Sequence, residues 1–205
     1  MITDRIRQRR AAALREAAAR ICEHVVPVDR DGTEGARAQT VVVTAREPRE
    51  GVTTVVVALA GYLARVRGLR VAAIDVTGRG EQGLRHLLDG GETVPGNEPA
   101  PGIEVVSWSA PEDGHGDGSP QATIERLEHS TDVIIVDAGS LRATVALQWA
   151  RFAGTRLLVV DGNRTTAEAL HRLGEELRRA GIEISGVVLN KRRYWVPQVL
   201  YRHLY

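Results

Sequence analysis

Apolar residues recur along the chain at two kinds of spacing, and each kind predicts a different element. Over residues 3–26 they follow three- and four-residue steps with arginines on the opposite face, which is typical of an amphipathic helix. Similar spacing predicts helices over residues 53–66, 81–88, 121–129 and 165–180, the last closed by Gly181 as a C-terminal cap. Short runs rich in β-branched residues, without polar alternation, indicate strands buried on both faces. Such runs predict strands over residues 40–44, 70–74, 103–107, 133–136, 156–160 and 184–189.

The alternation of these strands and helices indicates βαβ units, because parallel strands need a crossover connection between them. We therefore predict one α/β domain over residues 40–191, with a mostly parallel sheet flanked by helices. Residues 1–39 are predicted to form an N-terminal helix and a linker, and residues 192–205 a basic and aromatic tail.

Composition narrows the functional classes only a little. The 205 residues suit one domain, and the formal net charge of +1 indicates no general preference for an acidic or a basic partner. The single cysteine, Cys22, excludes a disulfide framework within one chain and is typical of a reducing compartment. No apolar run reaches the roughly 18–20 residues of a membrane-spanning helix, and the N-terminus lacks the apolar core of a signal peptide. We therefore expect a cytoplasmic protein.

The loop after the first predicted strand is the natural place for a ligand, because open parallel sheets bind ligands beyond the carboxyl ends of their strands. A phosphate-binding loop needs glycines that let backbone N–H groups surround an anion, a lysine for the outer phosphates, and Ser or Thr for Mg²⁺. Gly51, Thr53 and Thr54 occupy the expected places. Val52 stands at the lysine position, and Arg49 stands where a glycine is expected. The frame of such a loop is therefore present without its lysine.

The chain resembles the cytoplasmic domain of the bacterial tyrosine kinases of polysaccharide export, a branch of the MinD/ParA-type P-loop ATPases. The family loop runs Pro-Gly-Glu-Gly-Lys-Ser/Thr-Thr, and this sequence keeps Pro48, Glu50, Gly51, Thr53 and Thr54. Asp75 matches the family's additional Walker-type aspartate, Asp137 its Walker B aspartate, and Asn190 a residue that usually contacts the base. The family's second aspartate after the second strand is Thr77 here. The resemblance covers about residues 40–191.

This resemblance implies a Rossmann-like P-loop NTPase fold that binds ATP or ADP with Mg²⁺. The implied nucleotide-binding residues are Arg49, Glu50, Gly51, Val52, Thr53, Thr54 and Asn190. The implied Mg²⁺ ligands are Thr53, Asp75 and Asp137, and the two aspartates are also the implied catalytic groups. A structural role at the ends of their strands suits both aspartates equally well.

Two departures from the family pattern favour a catalytically impaired relative with a degenerate loop. Val52 replaces a lysine whose hydrogen bonds stabilise the charge that develops on a transferred phosphoryl group. Thr77 removes a carboxylate from the metal and base apparatus. Arg46 and Arg49 could replace the lost charge, although a side chain at position 49 is equally able to block the site. Lys191, the only lysine among 27 lysines and arginines, follows the last predicted strand.

Both ends of the chain carry patterns that suit partners. The tail combines the basic residues 191–193 with Trp195 and apolar residues, which suits either a membrane surface or packing on the domain or on a sister subunit. Tyr194, Tyr201 and Tyr205 are spaced among apolar residues, so their phosphorylation is the less favoured interpretation. The arginines of the first helix are predicted to form a solvated face, with self-association left open and nucleic-acid binding disfavoured.

Three functions fit these patterns. The favoured one is a regulatory or scaffold protein of exopolysaccharide or capsule biosynthesis and export, which binds a membrane chain-length or export protein from the cytoplasmic side. The second is an active ATPase or tyrosine autokinase with an arginine-substituted loop, and the third is a ParA/MinD-like positioning protein. The pathway comes from the resemblance, and likeness to a family does not by itself establish a function.

Overall fold

The computed structural model describes residues 2–24, 37–78, 83–84, 88, 102–110 and 118–191, and within the first helix it describes side chains from residue 12 onward. These residues form a six-stranded, all-parallel sheet with helices on both faces. The strands are β1 (Gln39–Ala45), β2 (Val71–Asp75), β3 (Ile103–Ser107), β4 (Val133–Ser140), β5 (Thr155–Asp161) and β6 (Gly186–Asn190). The described helices are α1 (Ile2–His24), α2 (Val52–Arg65), α3 (Pro120–Leu127), α4 (Thr144–Phe152) and α5 (Ala167–Arg179). The predicted α/β fold is confirmed.

All six predicted strands form, and the structure differs from the prediction in where some of them begin and end. β3 has its predicted bounds, whereas β4 continues past the predicted end at residue 136 as far as Ser140. The extension pairs with the end of β1 through a register shift between Val43 and Ala45, where Ala45 lies opposite Ser140. Residues 137–140 are Asp, Ala, Gly and Ser, so the run of β-branched residues that predicted the strand stops before them.

Four of the described helices were predicted, each to within two residues at either end. Thr166 caps α5 by accepting a hydrogen bond from the Ala169 amide at 3.2 Å, and Gly181 closes it with a left-handed φ of 73°, as predicted. Helix α4 was missed, and the predicted helix over residues 81–88 lies largely outside the described residues. In the described part of the chain, no helix is both long enough and apolar enough to span a bilayer.

Alternate residues of the central strands point to opposite faces of the sheet and bury two apolar clusters. Val41 and Val43 belong to the cluster beneath α1 and α2, and Val42 belongs to the cluster beneath α3, α4 and α5. Cys22 lies in the first cluster at 1% exposure, and burial raises the pKa of its thiol to about 11. The single cysteine is therefore a buried packing residue.

The order of the strands decides which loops meet. The order is β3-β2-β4-β1-β5-β6, so β1 lies between β4 and β5. Because the strands are parallel, their carboxyl ends share one edge, and there Asp75 pairs with Asp137 and Asp161 with Asn190. The loop between β1 and α2 therefore begins among polar residues from neighbouring strands.

Candidate functional site

A cleft of about 620 Å³ opens at the carboxyl edge of the sheet. Its floor is the loop after β1 (residues 46–51, here called the P-loop) together with the first turn of α2. Thr53 and Thr54 line it from α2, Asp137 from β4, and Lys191 from the residue that follows β6. The structure thus gathers into one cleft residues that are far apart in the sequence.

The backbone of the P-loop is curled by two residues in the left-handed region. Gly51 has a φ of 104° and precedes the first residue of α2. Arg49 has a φ of 67°, a conformation that non-glycine residues rarely adopt. This explains why a glycine is expected at position 49, and the loop keeps its curl although an exposed arginine occupies the position.

Glu50 holds the P-loop to the ends of neighbouring strands. Its carboxylate is 5% exposed and accepts hydrogen bonds from the Glu47 amide at 3.2 Å and the Asp161 amide at 3.5 Å. The Thr165 hydroxyl donates to the same carboxylate at 3.4 Å. The structure therefore places Glu50 beneath the loop, where it fixes the loop's position.

Asn190 is also turned toward the P-loop. Its side-chain Nδ2 donates to the Glu50 carbonyl at 2.8 Å, and its Oδ1 accepts from the Lys191 amide at 2.9 Å. A Cβ added to Gly51 would lie 2.1 Å from this Nδ2. The resemblance implies that Asn190 contacts the base of a nucleotide. In this structure its side-chain amide is hydrogen-bonded to the P-loop.

Val52 packs against apolar neighbours where the family carries its loop lysine. It is 7% exposed and joins Val55 and Val56 in the cluster beneath α2, while also forming part of the cleft floor. Its methyl groups offer no hydrogen bond to a phosphate. The first turn of α2 therefore contributes the hydroxyls of Thr53 and Thr54, without a side-chain cation.

The two predicted aspartates lie in register on neighbouring strands but have different surroundings. Asp75 is 5% exposed, and its Oδ1 accepts hydrogen bonds from the Thr77 amide at 2.8 Å and the Thr77 hydroxyl at 2.6 Å. Its Oδ2 accepts from the Leu84 amide at 3.2 Å, so this carboxylate caps the segment after β2. Asp137 is 1% exposed, accepts from the Gly139 amide at 3.1 Å, and borders the cleft.

Lys191 approaches the P-loop from the far side of the cleft. Its Nζ donates to the Arg49 carbonyl, a contact between residues 142 positions apart, and lies 3.9 Å from a carboxylate oxygen of Asp161. The scarcity of lysine singled this residue out in the sequence, but only the fold brings its ammonium to the loop.

Three solved structures share this architecture. The kinase domain of the Escherichia coli tyrosine kinase ETK is 24% identical, with a TM-score of 0.57, over 81% of this chain and 73% of that chain. The VpsO kinase domain is 19% identical, with a TM-score of 0.65, over 94% and 100%. The cell division ATPase MinD of Pyrococcus furiosus is 18% identical, with a TM-score of 0.51, over 82% and 79%. This chain has the fold of the bacterial tyrosine kinase domains and the MinD-type ATPases.

The resemblance predicted from the sequence is therefore confirmed for the fold. No protein-family model matches the chain, and no curated protein matches it either. Because all three identities are below 25%, the likeness establishes the architecture, and the function has to be argued from the site.

A nucleotide with Mg²⁺ fits the cleft in part. Gly51 lines the cleft without a side chain of its own at the start of α2, where backbone N–H groups suit an anion, and Thr53 offers a hydroxyl for a metal. Among the described residues no group of three acidic, histidine or cysteine side chains could hold a metal by itself. Mg²⁺ commonly takes one or two carboxylates together with phosphate oxygens, so Thr53 and Asp137 would suit it only alongside a nucleotide.

Arg142 and Glu47 form a bidentate ion pair at the rim of the cleft, and the pKa of Glu47 can be used to test it. Arg142 donates to the two carboxylate oxygens of Glu47 at 2.6 and 2.9 Å, and this hydrogen bonding holds the pKa of Glu47 below its ordinary value. A carboxyl group with a lowered pKa stabilises the fold above its ordinary pKa and loses that effect as the pH falls through the lowered value. We expect Arg142→Ala to raise the pKa of Glu47, measured by NMR titration of its side-chain carboxyl carbon.

The neighbouring Arg46 provides the matched control, because its Nε lies 4.0 Å from Glu47 and makes the weaker contact. We expect Arg46→Ala to raise the pKa of Glu47 less than Arg142→Ala does. Equal shifts in the two variants would contradict the assignment of the main effect to the bidentate pair.

Proposed function

We propose that the protein is a relative of the bacterial tyrosine kinase domains that does not transfer phosphate and acts as a regulatory or scaffold protein in polysaccharide assembly. Its partner in this proposal is a membrane chain-length or export protein. It would meet this partner in the cytoplasm, at the inner face of the membrane. The observation that carries the proposal is the buried Val52 on the floor of the cleft.

The missing lysine affects catalysis more than binding. A lysine at the start of α2 would neutralise charge as it develops on the transferred phosphoryl group, and this stabilisation acts on the transition state. Val52 offers only methyl groups there, and its burial among Val55 and Val56 keeps that part of the floor apolar. A nucleotide in this cleft would therefore lie beside a loop that lacks the group most needed for phosphoryl transfer.

The state of Asp75 points in the same direction. Three hydrogen bonds, two from Thr77 and one from the Leu84 amide, use both of its carboxylate oxygens. These hydrogen bonds give Asp75 a structural role in the segment after β2, and a metal bound there would have to compete with them. Asp137 alone would then remain for Mg²⁺ from the predicted pair.

The pathway and the partner derive from the sequence resemblance, and the shared fold of the ETK and VpsO kinase domains supports them. A domain of this fold that has lost phosphoryl transfer still offers a surface, and a partner that binds the related kinase domains could bind that surface. ATP or ADP with Mg²⁺ would serve in such a protein as a ligand that stabilises one state of the cleft.

The test is to incubate the purified protein with MgATP and measure phosphate on tyrosine by intact mass and peptide mapping. We expect no phosphotyrosine and no ATP turnover above the buffer blank for the natural sequence. The double variant Val52→Lys, Thr77→Asp restores both missing groups, and we expect it to turn over ATP.

Phosphotyrosine on the natural sequence would overturn the proposal in favour of an active autokinase. A matched control is Val52→Ile with Thr77→Asp, which carries the new carboxylate without the lysine and should stay inactive. Turnover in this control as high as in the lysine variant would contradict the role assigned to position 52.

A further inference from the structure

We propose that Lys191 binds the phosphates of a nucleotide from the end of β6, which supplies a cation for binding without restoring the lysine in the first turn of α2. The inference rests on the proposed function only in treating the cleft as a nucleotide site. It adds a phosphate ligand from an unexpected strand and does not depend on whether phosphate is transferred.

The backbone around Lys191 directs its side chain to the P-loop. Its amide donates to the Asn190 side chain at 2.9 Å, and its carbonyl accepts a hydrogen bond from the Asn163 side chain. Its φ of 57° lies in the left-handed region, which turns the chain sharply at the end of the strand. From this turn the ammonium reaches the Arg49 carbonyl, on the loop that would surround a phosphate.

The ammonium has a donor to spare. A lysine ammonium carries three N–H donors, and the described contacts are one hydrogen bond to Arg49 and one ion pair with Asp161 at 3.9 Å. The Lys191 side chain is 45% exposed and borders the cleft, whereas Asp161 is 8% exposed and lies beneath it. Asp161 therefore helps to hold the lysine in place, and the partly exposed Lys191 side chain borders the cleft.

Because the floor of the cleft carries no lysine, the Lys191 ammonium would supply a positive charge that the floor lacks. Val52 contributes no charge, so the P-loop backbone, Thr53 and Thr54 would otherwise face the phosphates without a lysine. Arg49 is the competing cation, because it lies on the loop itself, but its described hydrogen bond is made by its carbonyl and does not fix its guanidinium. Of these two basic residues that line the cleft, Lys191 is the one whose charged group described contacts fix beside the P-loop.

The experiment is calorimetric titration of the full chain with MgADP, with Lys191→Met as the main variant, since methionine keeps an unbranched stem and removes the charge. We expect Lys191→Met to weaken MgADP about ten- to hundredfold, the range of a lost charge-assisted hydrogen bond. Lys191→Arg should keep most of the affinity. Arg49→Ala should change it far less than Lys191→Met does.

A second variant separates a lost ligand from a damaged fold. Adding Val52→Lys to Lys191→Met supplies a cation from the first turn of α2, and we expect it to restore MgADP binding. Denaturant unfolding of each protein without ligand establishes that the variants fold.

Each result bears on one proposal at a time. Equal affinity of Lys191→Met and the natural sequence would overturn the role of Lys191, as would the absence of MgADP binding by the natural sequence. A large loss in Arg49→Ala with none in Lys191→Met would assign the phosphate contact to Arg49 instead. Phosphotyrosine formation would overturn only the proposed function, because the binding data decide the role of Lys191 independently.

Discussion

Replacing Gly51 with alanine should destabilise the protein by about 3 kcal/mol, because it combines backbone strain of about 1–3 kcal/mol with the loss of a partly buried hydrogen bond of about 0.5–1.5 kcal/mol. The φ of 104° is one that side-chain-bearing residues rarely adopt, and the new Cβ would lie 2.1 Å from Nδ2 of Asn190. That Nδ2 cannot move away without releasing the Glu50 carbonyl, to which it donates at 2.8 Å. The free energy of unfolding, measured by denaturant titration, checks this.

Two controls separate the strain from the clash. Gly181 has a φ of 73° with no atom within 4 Å of an added Cβ, so Gly181→Ala should cost only the left-handed strain, roughly 1–2 kcal/mol. Repeating Gly51→Ala in an Asn190→Ala background removes the clashing amide, and the cost of the glycine change should then fall by about 1–2 kcal/mol. The same cost in both backgrounds would refute the clash.

Truncation of Trp149 to alanine is expected to cost about 3–5 kcal/mol, the usual range for removing a large aromatic side chain from a core. Trp149 is fully buried in the cluster beneath α3, α4 and α5. Its ring meets that of Trp108 edge to face, with centroids 5.4 Å apart and planes at 84°. Denaturant unfolding of the natural sequence and the Trp149→Ala variant measures the difference.

Two variants provide the controls: a substitution of another residue on α4, and a more conservative substitution of Trp149. Phe152, also on α4, is 45% exposed, so Phe152→Ala should cost less than about 1 kcal/mol. Trp149→Phe should cost far less than Trp149→Ala, because the Trp149 Nε1 has no hydrogen-bond partner among the described residues and a phenyl ring keeps much of the packing. A cost for Phe152→Ala as large as for Trp149→Ala would contradict the buried face assigned to α4.

Helix α4 also marks a limit of prediction from the sequence. Only Ala146, Trp149 and Ala150 of this nine-residue helix are buried, and two of these are small. So short an apolar face gives a weak periodic signal. Its N-cap, Ala143, has no capping hydrogen bond from its side chain, so no helix-start signal marks it either. By contrast, α5 was predicted, because Thr166 caps it and Gly181 closes it.

The residues of the candidate site could also be predicted only in part. Gly51, Thr53 and Thr54 follow one another in a loop of recognisable composition, and the structure brings them to one cleft with Asp137. The hydrogen bonds between Asp75 and Thr77 were not predicted, because the replacement of an aspartate by threonine does not by itself indicate where the hydroxyl points.

Local patterns in the sequence were enough for the six strands and for four of the five described helices, since β-branched runs that lack polar alternation suit strands covered on both faces, and helical spacing between them implies parallel crossovers. Which strands lie side by side could be read from the folded protein alone. With β1 between β4 and β5, and β6 beside β5, Lys191 meets the carbonyl of Arg49, and Asn190 meets that of Glu50. Local patterns act over a few residues, whereas these contacts join positions 142 and 140 residues apart and depend on the packing of the whole sheet.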